Sequence, residues 1–151
     1  MNLRPPFATS LFENNWQTFQ LLVNDKIYNI LWETCKCGPF DGACILIAKS
    51  LESILGGEIF VLISNDNTAE HAVLLKNNKI WDYDGPLTPQ EFIIRFNHNE
   101  MRNKSLECVG YRPICESDLS DASRDVTVIG SISTIFQDAM EKLLAAANAI
   151  R

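Results

Sequence analysis

The segment from Gly42 to Gly85 constrains the fold most, because one predicted helix is followed directly by three predicted strands. Apolar residues recur every three or four positions over 43–55, a period typical of a helix that is buried along one side. Gly56-Gly57 ends this pattern. The segments that then read as strands are 58–64, 70–76 and 79–84. This order predicts an α+β domain in which the helix packs on an antiparallel sheet.

Two adjacent asparagines, Asn77 and Asn78, predict a tight hairpin between the second and third strands, since Asn tolerates the positive φ of a primed turn. In the register that this turn sets, His71 faces Asp84, and Asp82 lies diagonal to His71 on the same face. Directly opposed side chains are about 5 Å apart at Cβ, within reach of a His–Asp hydrogen bond. The apolar residues that share this face, and that are predicted to pack on the helix, are Val73, Leu75 and Ile80.

Cys44 stands at the start of the predicted helix, where a thiol gains reactivity. The helix 44–55 climbs roughly 17 Å, and the strand 58–64 returns about 20 Å. The strand that begins near His71 should therefore start beside Cys44. The positive end of the helix dipole and its free N–H groups stabilise a thiolate, and the same N–H groups can bind an oxyanion.

Three short runs in this segment resemble the motifs of papain-like thiol enzymes, a group that includes transglutaminase-like proteins and NlpC-type cell-wall peptidases. The run 42–48 resembles the nucleophile helix, and 70–73 resembles the His-Ala-Val strand. The run 84–86 is similar to the Asp motif that closes the triad in transglutaminase-like members. The resemblance covers residues 42–85 and implies a papain-like core.

The resemblance also implies a function, which is thiol-dependent acyl chemistry on an amide by a cysteine hydrolase or acyltransferase. The reaction would be peptide or isopeptide hydrolysis, deamidation or transamidation. Cys44 would be the nucleophile, His71 the general base and then acid, and Asp84 the group that orients His71, with Asp82 as its alternative. No cofactor and no metal are implied. The alternative function is a catalytically silent domain of the same fold that binds a partner, or an interaction protein whose thiol is incidental.

The loop before Cys44 is the candidate substrate and oxyanion loop. Papain relatives carry a Gln about six residues before the nucleophile, and Gly38 holds that position here. Pro39 has no N–H to donate, and Asp41 is predicted to cap the helix. Cys37 is an alternative nucleophile. The loop residues predicted to bind substrate or donate a backbone N–H are Gly38, Phe40, Asp41 and Gly42.

Helical segments flank the core within a predicted single domain, residues 1–151. The N-terminal segment 11–34 follows a capping box, Ser10 with Glu13, and forms one helix or two helices broken near Asn24-Asp25. A second capping box, 88–91, predicts a short helix that ends near Phe96. The segments beyond it are a strand over 106–114, an ambiguous polar stretch over 117–124 and a C-terminal helix over 131–150.

Composition narrows the possible partners. The formal net charge is -6 and no Lys/Arg run stands out, which argues against nucleic-acid and anionic-membrane surfaces. The sequence has no signal-peptide pattern and no apolar stretch approaching the roughly 18 residues of a membrane span. We therefore expect a cytoplasmic protein, while delivery elsewhere and the oligomeric state stay open. The resemblance to papain-like enzymes implies a protein or peptide-like substrate.

The 5 cysteines form an odd set in a chain without a signal peptide, so a disulfide framework is not expected. Their spacings also differ from the usual zinc knuckles. The cysteines other than Cys44 are predicted to be small buried apolar residues; they are Cys35, Cys37, Cys108 and Cys115.

Overall fold

The computed structural model describes residues 5–40, 42–120 and 122–149, which form an α+β fold as predicted. Within these residues, four α-helices accompany a five-stranded antiparallel sheet. In chain order the elements are α1 (Pro5–Cys35), α2 (Cys44–Leu55), β1 (Glu58–Ser64), β2 (Ala69–Lys76), β3 (Lys79–Asp82), β4 (Gly85–Leu87), α3 (Pro89–Glu100), β5 (Cys108–Pro113) and α4 (Val126–Ala149). Short 3-10 turns lie at Glu116–Asp118 and Ala122–Arg124.

The sheet has the order β4-β3-β2-β1-β5, so β2 lies at its centre. The hairpin between β2 and β3 has the predicted register, because Leu74 pairs with Trp81 and Lys76 pairs with Lys79. Asn77 and Asn78 have φ values of 54° and 61°, as a primed turn requires. The pairing of β1 with β2 shifts next to His71, where a bulge interrupts the ladder.

Helices cover both faces of the sheet and create two apolar clusters. The larger cluster joins α1, α2 and α4 to one face, which presents Leu74, Trp81 and Tyr83. The smaller cluster joins Val73 and Ile80 on the other face to α3. The prediction that Val73, Leu75 and Ile80 pack on the cysteine helix is therefore wrong. Because both faces are apolar, alternation in the sequence does not reveal which face α2 covers.

Several element boundaries differ from the sequence predictions. The first helix begins at Pro5, and its non-helical residue is Asn15, with φ -129° and ψ 21°, instead of a break near Asn24-Asp25. The Asn15 side chain donates a hydrogen bond to the Leu11 carbonyl at 2.9 Å. Side-chain bonding of this kind competes with the helical pattern and bends helices.

The region after β3 contains a short strand that the sequence patterns do not predict. The β4 strand pairs with β3 through a two-residue turn, with Asp82 opposite Gly85. The following helix, α3, has Thr88 as its N-cap residue and Pro89 in its first turn, as predicted, but Thr88 makes no side-chain cap hydrogen bond. It continues to Glu100, beyond the predicted end near Phe96.

Gly85 allows this turn to lie directly against the aromatic ring of Trp16. Its φ is 97°, and a Cβ atom there would be 2.6 Å from Trp16 Cδ1. We expect Gly85→Ala to lower the free energy of unfolding by about 3 kcal/mol, from left-handed strain and overpacking combined. Chemical denaturation would measure this change. Gly110→Ala is the matched control, because a Cβ atom at Gly110 would have no neighbour within 4 Å, and it should change stability little. Equal effects of the two substitutions would contradict this explanation.

The four other cysteines differ in exposure. Cys108 is buried as predicted, but Cys115 is exposed, so its prediction as a buried residue is wrong. Cys35 and Cys37 are half-buried. Cys115 is exposed because it precedes a surface 3-10 turn and lies outside both apolar clusters.

Within the ranges 5–40, 42–120 and 122–149, no helix combines the length and apolar character that crossing a bilayer needs.

Candidate active site

Cys44 is the first residue of α2, and it lies beside the start of β2, as the element lengths predict. The N-cap residue of α2 is Ala43, whose buried methyl group cannot accept a hydrogen bond from the N–H groups of the first turn. The Ala43 N–H donates to the Gly38 carbonyl at 3.1 Å, which anchors the entry to the helix. The predicted cap Asp41 lies outside the described residues.

His71 lies on β2 with a fully buried side chain, and its Nε2 atom is 2.8 Å from Asp82 Oδ2. The imidazole stacks on the ring of Phe96 from α3, with 4.6 Å between centroids and 19° between planes. The centroid of a second ring, that of Phe40, lies 6.1 Å from the centroid of the imidazole. These contacts and the neighbouring bulge fix the direction of the imidazole.

The Asp82 carboxylate is itself held on its second oxygen. Oδ1 accepts a hydrogen bond from the Asp84 backbone N–H at 2.7 Å and lies 3.4 Å from the guanidinium of Arg95. Arg95 comes from α3 and also donates to the carbonyls of Asp84 and Gly85. The carboxylate that orients His71 is thus anchored by α3 as well as by its own strand.

The structure brings Asp82 to His71 and does not bring Asp84 there, so the alternative orienting residue replaces the preferred one. The predicted register would place Asp84 opposite His71 only if β3 continued to residue 84. Instead β3 ends at Asp82, and Tyr83 with Asp84 forms the turn into β4. Asp82 then reaches His71 along the diagonal that the same register allows.

The thiol of Cys44 interacts with the remaining side of the imidazole. Nδ1 of His71 is buried and forms no hydrogen bond of good geometry with the part of the chain that the structure describes. The Cys44 thiol is nevertheless close enough to interact with the ring. A loose contact of this kind is common in free enzymes, where the catalytic hydrogen bond tightens when substrate binds. The Ala72 N–H also points to Cys44 Sγ, at 3.4 Å.

The environment of these residues favours a thiolate–imidazolium pair. Burial alone would raise the pKa of Cys44, but the contact with His71 and the charge of that residue, with the N–H groups of Ala72 and Ile45, lower it below the ordinary thiol value. Burial alone would lower the pKa of His71, but the hydrogen bond to Asp82 and the contact with Cys44 raise it to about 9. Opposite shifts on two neighbouring groups are typical of an activated thiol.

An open cleft of about 400 Å³ leads to Cys44 and His71. The N-terminus of α2 and the start of β2 form two of its sides, as predicted. Its far wall is the 3-10 turn that carries Ser117 and Asp118. The loop before Cys44 is predicted to bind substrate or donate a backbone N–H, but its described residues Gly38, Phe40 and Gly42 do not line this cleft.

The described residues of that loop have other contacts. The Gly38 carbonyl accepts the Ala43 N–H, and the Phe40 ring lies between His71 and Tyr83, with 6.3 Å to the Tyr83 centroid. Gly42 is exposed, with a φ of 149°. The loop therefore supports the helix and the imidazole from behind the cleft.

Sequence patterns do not reveal the cleft wall at Ser117 and Asp118. Arg112 of β5 holds Asp118 through two hydrogen bonds of 2.8 and 3.0 Å, and the Cys115 N–H donates to the same carboxylate at 2.9 Å. The only sequence signal for this wall is that Arg112 and Asp118 stand on either side of the end of β5, and the pattern of the segment 117–124 is ambiguous. Such pairs are too common on protein surfaces to indicate a site without a structure.

No family model matches this sequence, and neither the curated proteins nor the solved structures include a match. Among the described residues, no group of three or more His, Cys, Asp and Glu side chains is arranged to hold a metal ion.

Proposed function

We propose that this chain catalyses thiol-dependent acyl transfer from an amide, with Cys44 as nucleophile, His71 as general base and acid, and Asp82 as the orienting carboxylate. The observation that carries the proposal is the buried His71 ring, which is bonded to Asp82 through Nε2, together with the Cys44 thiol beside it, to which the neighbouring Ala72 N–H donates. The thiol opens onto a cleft at a helix N-terminus. The resemblance of the sequence motifs to those of papain-like enzymes agrees with this proposal.

In this mechanism the Cys44 thiolate attacks the carbonyl carbon of the amide, and a C–S bond forms as the carbonyl electrons move to oxygen. His71, as imidazolium, gives its proton to the leaving nitrogen while the C–N bond breaks. Neutral His71 then takes a proton from water or an amine, which attacks the thioester and releases Cys44. When water attacks, the product is a carboxylic acid. When an amine attacks, the product is a new amide.

Backbone N–H groups would stabilise the oxyanion of this reaction. Ala43 supplies no side-chain acceptor at the N-cap, so the first-turn N–H groups of α2 can point to a substrate oxygen in the cleft. Gly38 offers no side chain for this task, and its carbonyl is engaged by Ala43. The proposed oxyanion site therefore consists of main-chain donors and the helix dipole.

Alkylation of Cys44 by iodoacetamide tests the thiolate–imidazolium pair directly. Because the pKa of Cys44 is lowered, we expect modification at pH 6 to be faster than that of N-acetylcysteine, whose thiolate fraction there is below about 1%. Turnover should fall below the lowered pKa of Cys44, where the thiolate is protonated. It should also fall above about pH 9, where His71 loses the proton that the leaving group needs.

Mass spectrometry of the Cys44 peptide would follow this reaction, with Cys115→Ser as the background because Cys115 is an exposed thiol. His71→Ala should return the alkylation rate to that of an ordinary thiol. A Cys44 rate equal to that of N-acetylcysteine throughout the pH range would overturn the enzymatic proposal and favour a silent binding domain.

A further inference from the structure

A second pocket lies behind the Phe40 ring, and the proposed reaction does not use it. It has a volume of about 280 Å³ and is formed by α1, the loop before α2 and the turn between β3 and β4. We call it the α1 pocket and define it by Gln20, Asn24, Tyr28, Phe40, Tyr83 and Asp84. Its lining differs from that of the catalytic cleft, because it combines three aromatic residues and one carboxylate with the amides of Gln20 and Asn24.

Three aromatic rings meet in the α1 pocket at steep angles. The rings of Tyr28 and Tyr83 are 5.9 Å apart and 78° from parallel. The rings of Phe40 and Tyr83 are 6.3 Å apart and 65° from parallel. Tyr83 is 1% exposed and forms the floor of the pocket, whereas Tyr28 is 44% exposed and Phe40 is half-buried, so these two rings can offer a face to an organic cation.

The carboxylate of Asp84 supplies negative charge in the same pocket. Its side chain is half-buried, and no lysine or arginine within the described ranges forms an ion pair with it. The nearby Arg95 donates to the backbone carbonyl of Asp84, and the charge of Arg95 and a hydrogen bond from Gln20 partly stabilise the carboxylate. Burial and the charge of Asp82 raise the pKa of Asp84, so a cation bound in the pocket would relieve an unfavourable environment.

Neighbouring side chains hold the pocket in shape. Gln20 donates to the Tyr83 carbonyl at 2.9 Å, and the Tyr83 hydroxyl donates to Asn24 Oδ1 at 2.6 Å. Gln20, Asn24 and Tyr28 are four residues apart on α1 and so lie on one face of the helix. The pocket is therefore built before any ligand arrives, which lowers the entropic cost of binding.

We infer that the α1 pocket binds an alkylammonium group, such as a methylated amine or a lysine-type side chain, between the rings of Tyr28 and Phe40, above the buried Tyr83 ring and against the Asp84 carboxylate. The cation is attracted to the ring faces and pairs with the carboxylate, while its alkyl groups fill the apolar volume. The binding site stands on these contacts alone and does not depend on the reaction proposed for Cys44.

Choline and its uncharged isostere 3,3-dimethylbutan-1-ol are suitable probes, because the two molecules differ in charge and hardly in shape. Each would be titrated into the full chain at constant ionic strength and followed by amide chemical shifts. We expect choline to give saturable shifts centred on Tyr28 and Asp84, and the alcohol to bind at least about fivefold more weakly. Equal binding of the two probes would show an apolar pocket only and would overturn the inference.

Single substitutions test whether choline binds in the α1 pocket. Tyr28→Ala and Asp84→Asn should each weaken choline binding by about fivefold or more. Tyr111→Ala removes another exposed tyrosine ring from β5, outside the pocket, and should leave binding unchanged. Tyr28 is 44% exposed, so its variant should fold, and Asp84→Asn tests the inference independently. Shifts that do not saturate, or that survive both substitutions, would contradict the inference.

Discussion

Cys44→Ala is expected to abolish acyl transfer and to leave the fold intact. The substitution removes the only atom that can form the thioester in the proposed mechanism. Alanine is the strongest helix former and would occupy a half-buried position at the start of α2, so the loss of stability should be small, about 1 kcal/mol. The measurement is the burst of p-nitrophenol from an activated ester, together with turnover on a library of peptide amides, alongside chemical denaturation.

Cys37→Ala is the matched control for this experiment. Cys37 is the alternative nucleophile that the sequence offers, and it is a half-buried thiol in the loop before α2. Its sulfur is 2.6 Å from the sulfur of Cys35, and it is absent from the lining of the catalytic cleft. Full activity of Cys44→Ala, or loss of activity in Cys37→Ala alone, would show that the nucleophile has been assigned to the wrong residue.

The second large effect is expected at Asp82. Asp82→Asn keeps the size of the side chain but removes the charge that orients and stabilises the His71 imidazolium. In a serine protease the corresponding change lowers turnover by about 10⁴-fold, and we expect a loss of that order. The free energy of unfolding should also fall, because Arg95 and the Asp84 N–H lose a charged acceptor.

Asp84→Asn separates the two carboxylates. Asp84 is in the turn after β3 and makes no hydrogen bond to His71, so on an uncharged ester its variant should lose less than about tenfold. Both rates would be measured from pH 5 to pH 10, since a lost orienting charge also lowers the pKa of His71 and moves the alkaline limb to lower pH. Similar, mild losses in the two variants would mean that neither carboxylate orients the histidine.

Local patterns predict much of the fold and part of the candidate site. The helical period ending at Gly56, the strand after it and the Asn77-Asn78 turn each specify their own conformation. The lengths of these elements are sufficient to bring Cys44 and His71 to the same level. The structure agrees because helix rise and strand rise vary little between proteins.

The wrong sequence predictions concern features that tertiary contacts determine. The preference for Asp84 depends on a predicted strand that is two residues too long, and the end of β3 depends on the packing of Gly85 against Trp16. No local signal reports that contact. The prediction that α2 covers the face of Val73 is wrong for a similar reason, since α3 covers that face with residues such as Phe96 and both faces are apolar.

The position of His71 on the central strand, stacked on Phe96, makes the candidate site a bridge between the two halves of the molecule. Cys44 belongs to the layer of α1, α2 and α4, whereas the imidazole and the anchor of Asp82 depend on α3. The α3 layer buries fewer apolar side chains than the layer of α1, α2 and α4, so fewer packing contacts stabilise it. Partial opening of that layer would release His71 and Asp82 from their positions beside Cys44 while most of the protein remained folded. The candidate site should therefore be lost at a lower free energy than the fold as a whole.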